Sequence, residues 1–363
     1  MKFFIKTDAS ILIGSGHVMR CLVLAEALKS KGHEINFICR HYPGNLIDLI
    51  KEKGFFVYVL PFHEQEAYQN QESTDDYSKW LWVNIAEDAD QTIKILENET
   101  VEWLVTDCYA LNRDWEKQLR PFVDKIMVID DLADRQHDCD ILLDQNFYLD
   151  LKDRYDSWVS STCLKLLGPQ YALIRPEFTE VRQKRETLGK CTPHPAKNIL
   201  VYMGGADMRN YTAQIIQTLL QMPTIENYHV DILVGAINPH KKNILALCDT
   251  HAFFHYHEQP AYYFDLLCQT DLAIAAGGAS TYERCYLRIP SLVLIVADNQ
   301  STLVKDTHEY GAHYYLKNTS YKTLSHAIHA VTQNFSEYFF KMTSLVDGLG
   351  ISRVCQAIEG VSS

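Results

Sequence analysis

Residues 14–20, Gly14-Ser15-Gly16-His17-Val18-Met19-Arg20, decide how this chain folds and where its chemistry sits. Upstream, residues 2–7 (KFFIKT) form a short apolar run of strand character. Downstream, Val18, Cys21, Leu22, Ala25 and Leu28 recur at helical spacing and mark one apolar face. Gly14 and Gly16 therefore predict a tight strand-to-helix turn, with His17 in the first turn of the helix. Backbone N–H groups without intrahelical partners point outward there, and the helix dipole favours an anion nearby. The same positive end favours an uncharged imidazole, able to accept a proton. A turn that suits phosphate and carries its own base points to chemistry on a phosphorylated ligand. The plainer alternative is a histidine that merely caps or packs.

Around this turn the first half alternates strand and helix. Strands are predicted at 35–39, 55–60, 103–106, 125–129 and 141–143, and helices at 45–53, 83–97 and 114–122. Such alternation argues for a parallel sheet with helices on both faces. Residues 62–82 are polar and aromatic, a long loop or broken helix. At 182–197 (RQKRETLGKCTPHPAK) the composition turns charged, with two prolines and no period, and predicts a linker. The pattern then restarts, with strands at 198–203, 230–234, 252–255, 272–275 and 291–296 and a helix at 211–221. The expectation is an α/β chain of two Rossmann-like domains, 1–181 and 198–345, facing each other across a cleft. Segment 346–363 would cross back to the first domain, an idea with which the apolar residues Leu345, Leu349, Val354 and Ile358 are compatible.

Composition bounds the function. A chain of 363 residues has the length of two ordinary domains, and 47% hydrophobic with 22% charged residues is globular usage. The formal net charge is −12 and Lys/Arg stripes are absent, so nucleic acid is not an expected partner. An anionic nucleotide is still admissible, because local backbone dipoles decide that more than net charge. No apolar run approaches the ~20 residues that span a bilayer, and residues 1–7 read as a strand, not a signal peptide. A cytoplasmic protein without membrane contact is expected. The ten cysteines include no C-x-x-C pair and read as reduced core residues. His255 and His257 lack a third ligand at recognisable spacing, so no metal is expected.

The second half carries a matching site. In 271–290 (DLAIAAGGASTYERCYLRIP) a buried strand ends in Gly277-Gly278, and Ala279, Ser280 and Thr281 open a helix containing Glu283. Glycines permit close backbone approach, and free N–H groups with hydroxyls can hold a diphosphate. Glu283 could accept hydrogen bonds from a ribose. Ser280 and Glu283 equally fit a capping box, and the two readings are compatible. Gly204-Gly205-Ala206-Asp207 supplies a second glycine turn.

Segment 277–300 resembles the UDP-binding half of GT-B enzymes of the MurG type. With 7–28 (TDASILIGSGHVMRCLVLAEAL), Thr106-Asp107-Cys108-Tyr109, Ile129-Asp130-Asp131, Tyr171-Ala172-Leu173-Ile174-Arg175 and Met203-Gly204-Gly205-Ala206-Asp207, the resemblance narrows. It is to the UDP-2,4-diacetamido-2,4,6-trideoxy-β-L-altropyranose hydrolases of pseudaminic acid biosynthesis, in order over residues 1–320. Residues 330–363 match no motif. The resemblance implies His17 as general base, with Gly14, Gly16 and Arg20 around it and Tyr109 facing the sugar. It implies substrate contacts from Arg175 and Glu283. Diphosphate contacts would come from Gly204, Gly205, Gly278 and Ser280, further substrate contacts from Asp207 and Ala279, with Asn299 and Gln300 near the sugar. It implies neither metal nor cofactor, and inversion by water at the anomeric carbon. Asp130 and Asp131 could assist or simply cap the next segment, Arg20 could be ion-paired, and Tyr109 could be structural. The rival functions are a GT-B glycosyltransferase, a hydrolysing UDP-sugar epimerase and a non-catalytic nucleotide-sugar binder.

Overall fold

The computed structural model describes residues 1–62 and 77–362 and divides them into two units. Unit 1 comprises Met1–Asn146, Asp150–Leu173 and Leu349–Ser363; unit 2 comprises Phe147–Leu149 and Ile174–Gly348. Unit 1 is built on seven strands: β1 (Lys2–Thr7), β2 (Glu34–Arg40), β3 (Phe56–Leu60), β4 (Trp103–Asp107), β5 (Lys125–Ile129), β6 (Ile141–Asp144) and β7 (Leu164–Leu167). All pair in parallel, in the order β3-β2-β1-β4-β5-β6-β7. Both faces are covered, which is why the inner strands read as near-continuous apolar runs. The helices between them are α1 (Gly16–Ser30), α2 (Ile47–Glu52), α3 (Ile85–Leu96) and α4 (Arg113–Leu119). The order reverses between β1 and β4, and there α1 enters from the C-terminal end of β1.

Unit 2 repeats the plan with six parallel strands in the order β10-β9-β8-β11-β12-β13. They are β8 (Asn198–Tyr202), β9 (His229–Val234), β10 (Phe254–Glu258), β11 (Leu272–Ala276), β12 (Ser291–Leu294) and β13 (Tyr314–Tyr315). The helices from 177 onward are α5 (Glu177–Thr187), α6 (Tyr211–Leu219), α7 (Lys241–Cys248), α8 (Tyr263–Gln269), α9 (Ser280–Tyr286), α10 (Ser301–Tyr310), α11 (Tyr321–Gln333), α12 (Phe335–Leu345) and α13 (Gly350–Ser362). Its order reverses between β8 and β11.

Two elements differ from their sequence reading. The charged stretch 182–197 opens inside α5, and the units part at Leu173 and Ile174. Arg185 is fully buried there, donating to the carbonyls of Leu267, Cys268, Thr270 and Leu287. Its charge is thus an anchor for unit 2 and not a solvated link. Strand β10 lies at Phe254–Glu258, a few residues later than composition suggests, and its His257 bonds the Asp231 carboxylate on β9 at 2.7 Å. His255 meanwhile stacks on His229 at 3.8 Å. Helix α13 packs Val354, Cys355 and Ile358 into the core of unit 1, against Phe3, Leu24 and Trp103. Of the 62–82 loop, 63–76 lie outside the described residues, and Tyr77–Leu81 is a single 3-10 turn. All ten cysteines are buried and free. Among the described residues no helix is long and apolar enough to cross a membrane.

Candidate functional site

In unit 1 the candidate residues gather where β1, β4 and β5 end, at the reversal of strand order, the usual ligand crevice of an open parallel sheet. The chain leaves β1 through Ser10, whose carbonyl accepts from Gly14 N–H at 2.9 Å; Gly14 has φ +79°. Gly16 begins α1, and His17 follows as a buried residue. Its Nδ1 lies 2.6 Å from Asp107 Oδ1, at the end of β4. An ionised carboxylate can only accept, so Nδ1 carries the proton and Nε2 is left as the acceptor. No described residue hydrogen-bonds Nε2.

Arg20, one turn along α1, grips the same carboxylate as a fork. Nε donates to Oδ2 at 2.6 Å and Nη2 to Oδ1 at 2.7 Å, while Nη1 donates to Asp131 Oδ2 at 2.7 Å. Burial of Asp107 opposes its charge, but Arg20 and His17 together outweigh that and hold the carboxyl below its usual range. Burial likewise opposes the charge of Arg20, and Asp107 with Asp131 reverses the effect. Tyr109 donates to Asp131 Oδ2 at 2.6 Å and lies edge-on to His17 at 4.6 Å. Burial, then Asp131, pushes its phenol well above the ordinary value. Tyr77 and Trp80 complete an aromatic wall, with Trp80 stacked on Tyr109 at 5.4 Å and edge-on to His17 at 5.9 Å. Asp130 holds its own turn, accepting from Leu132 N, Ala133 N and Tyr155 OH.

Three of these partners escape sequence reasoning. Asp107 lies inside a quoted motif, but nothing local ties it to His17, 90 residues away. Asp131 meets Arg20 across 111 residues. Trp80 stands in a stretch without period. Only the fold brings them together.

In unit 2 two glycine turns follow the adjacent strands β8 and β11. After β8, Gly204 (φ +85°) and Gly205 lead to Asp207, whose carboxylate accepts from Tyr211 N at 2.8 Å and Thr212 N at 2.9 Å. Asp207 therefore spends both oxygens capping α6. After β11, Gly278 takes φ +111°, a conformation L side chains rarely adopt. Gln300 lies against this turn: a Cβ on Gly277 would come within 3.2 Å of Gln300 Oε1, which accepts from Val296 N at 3.1 Å. Asn299 beside it is exposed.

Ala279, and not Ser280, precedes α9, and the helix start has no side-chain cap. Ser280 Oγ instead accepts from Arg284 Nη1 at 2.8 Å, so the capping box read from sequence does not form. Glu283, one turn into α9, faces Arg175 at 3.6 Å, and the Arg175 guanidinium lies over the rings of Phe178 and Phe264. Burial raises the Glu283 carboxyl above its ordinary value, against the pull of Arg175 and Arg284. Among the described residues no group of three or more His, Cys, Asp or Glu is arranged to hold a metal ion.

No family model matches the chain. It is 29% identical over 253 residues to UDP-2,4-diacetamido-2,4,6-trideoxy-β-L-altropyranose hydrolase of Campylobacter jejuni, covering 69% of this chain and 76% of that protein. It is 23% identical over 353 residues to spore coat polysaccharide biosynthesis protein SpsG of Bacillus subtilis, covering 95% and 94%. An uncharacterized protein of Methanocaldococcus jannaschii is 25% identical over 299 residues, 81% of this chain but only 55% of its own length. Among solved structures, MurG of Acinetobacter baumannii aligns over 99% of both chains at TM-score 0.67 and 13% identity. UDP-GlcNAc 2-epimerase of Neisseria meningitidis, bound to UDP-GlcNAc, aligns over 99% of this chain and 100% of its own at TM-score 0.61 and 12% identity. These likenesses establish the fold: two Rossmann-like parallel-sheet units of the GT-B type.

Proposed function

We propose that this chain is an enzyme acting on a nucleoside-diphosphate sugar. Its reaction is hydrolysis of UDP-2,4-diacetamido-2,4,6-trideoxy-β-L-altropyranose or a closely related acetamido sugar. One observation carries the reading: a histidine held by a buried aspartate, with Nε2 uncommitted, at the reversal of a Rossmann-type sheet. A relative at 29% identity bearing that hydrolase name supports it.

Water is a weak nucleophile, and a positioned base contributes about 10²–10⁴-fold. His17 Nε2 takes one proton from water, the water oxygen bonds the anomeric carbon, and the carbon–oxygen bond to the diphosphate breaks with its electron pair leaving on UDP. Asp107 keeps Nδ1 protonated and steadies the imidazolium that forms, so it acts as a positioning residue. Arg20 spends its N–H groups on Asp107 and Asp131, and we assign it to the same role. Tyr109 and Trp80 give the sugar a flat apolar wall. The 204–207 and 277–280 turns, with Ser280, spread the charge developing on the diphosphate through amides already in place. Glu283, steadied by Arg175, accepts from the ribose hydroxyls, and Asn299 and Gln300 serve the sugar. No step requires a cofactor.

The test is incubation of the protein with the UDP-sugar in water, without acceptor, following UDP release and the first anomer by NMR. Release with a single inverted anomer is the expected result. Release only on adding an acceptor alcohol would make the chain a glycosyltransferase. His17→Ala should cut kcat by about two decades or more while UDP affinity stays within a few fold; full activity in that variant removes His17 from the mechanism.

A further inference from the structure

Arg284 is 6% exposed and points back beneath the glycine turn that follows β11. Its five N–H donors meet four neutral oxygens: Ser280 Oγ at 2.8 Å, Ser291 Oγ at 3.1 Å, Ala276 O at 3.2 Å and Thr281 Oγ1 at 3.3 Å. Among the described residues it forms no ion pair. The adjacent Glu283 pairs with Arg175 and not with Arg284, so the turn carries surplus positive charge. Arg185, the other buried arginine of unit 2 without a carboxylate, differs. It is caged by main-chain carbonyls at the C-terminal ends of α8 and α9, where helix dipoles supply negative charge. Arg284 has one carbonyl and three hydroxyls.

The hydroxyls themselves differ. Ser291 accepts from Arg284 and passes its own proton to Ile289 O at 2.9 Å. Ser280 accepts from Arg284, and its proton has no acceptor among the described residues. A guanidinium bonded to a hydroxyl oxygen turns the hydroxyl proton away from itself. At Ser280 that leaves the proton available to an acceptor resting on the turn.

We infer that Arg284 is a positioning residue for a diphosphate. It supplies charge behind the 277–280 turn and fixes Ser280 Oγ as a donor to a phosphate oxygen. The inference rests on the nucleotide-sugar reading above and adds to it the group that selects for phosphate. A buried cation without a counter-ion is costly, and an anion on the turn offsets that cost.

The experiment is calorimetric titration of the full chain with UDP and with uridine, for wild type, Arg284→Met, Arg284→Lys, Ser280→Ala and the Ser280→Ala/Arg284→Met pair. Arg284→Met should weaken UDP by about tenfold or more and leave uridine unchanged. Arg284→Lys keeps the charge without the fork and should restore part of the loss. The double variant should lose less than the sum of its singles. UDP binding by Arg284→Met at wild-type affinity, or an equal loss for uridine, overturns the inference alone. A wild-type chain that binds no UDP overturns the nucleotide reading itself. Should Arg284→Met fail to fold, Ser280→Ala decides: unchanged UDP affinity overturns the inference.

Discussion

His17 stands out in the sequence because it opens a helix straight after a glycine turn, a position that capping or packing would equally explain. Its dependence on Asp107, which sets its tautomer, is not legible, since the aspartate arrives from another strand. Asp107→Asn tests that dependence. It should lower kcat by about two decades or more with UDP affinity preserved, because the amide no longer fixes the tautomer or steadies the imidazolium. Removing one partner of a buried pair costs about 3–5 kcal/mol, so rates must be compared where circular dichroism shows both proteins folded. A second residue-scale consequence concerns His313. Burial, followed by repulsion from the like charge of Arg284, lowers its pKa to about 3, although Nε2–H donates to Val304 O at 2.9 Å. The ring is thus neutral when folded but protonates in the unfolded chain below about pH 6.5. The unfolded state binds the extra proton, so stability is full above that pH and is lost as pH falls toward 3. Between pH 7 and pH 5 the loss is about 2 kcal/mol from this group. His313→Gln keeps a donor for the carbonyl and should narrow the gap between melting temperatures measured at those two values.

Helices and strands with a clear period were legible to within a few residues. β1, β4, β5 and β11 are legible because a parallel strand buried on both faces is a near-continuous apolar run, interrupted in β1 by the buried Lys6. The misses have physical causes. In 182–197 the charge, two prolines and lack of period read as a linker, but Arg185 is buried because five main-chain oxygens accept its protons. At Ser280 the capping pattern was correct as a pattern, yet Arg284 claims the hydroxyl first. Residues 349–363 are not among these misses, since they join unit 1. Ile358 of α13 is fully buried in the unit 1 core, so Ile358→Ala should destabilise the protein by about 2–5 kcal/mol, measured by urea unfolding. A loss near zero would mean that α13 contributes little to that core.

Two sheets of the same design, each with its own core, make stability a property of each unit as well as of the chain. Amide hydrogen exchange should show this directly. In Ile358→Ala, exchange should quicken through β1, β4 and β5 and stay unchanged through β8 and β11. Acceleration in both sheets would mean that the two unfold as one. The position of α13 in the chain carries a further consequence. Residues 350–362 emerge from the ribosome only after every residue of unit 2 has been made. The amino-terminal half therefore spends the synthesis of its neighbour with an unfilled greasy notch on its surface. The notch closes only once α13 has left the ribosome and packed into that core.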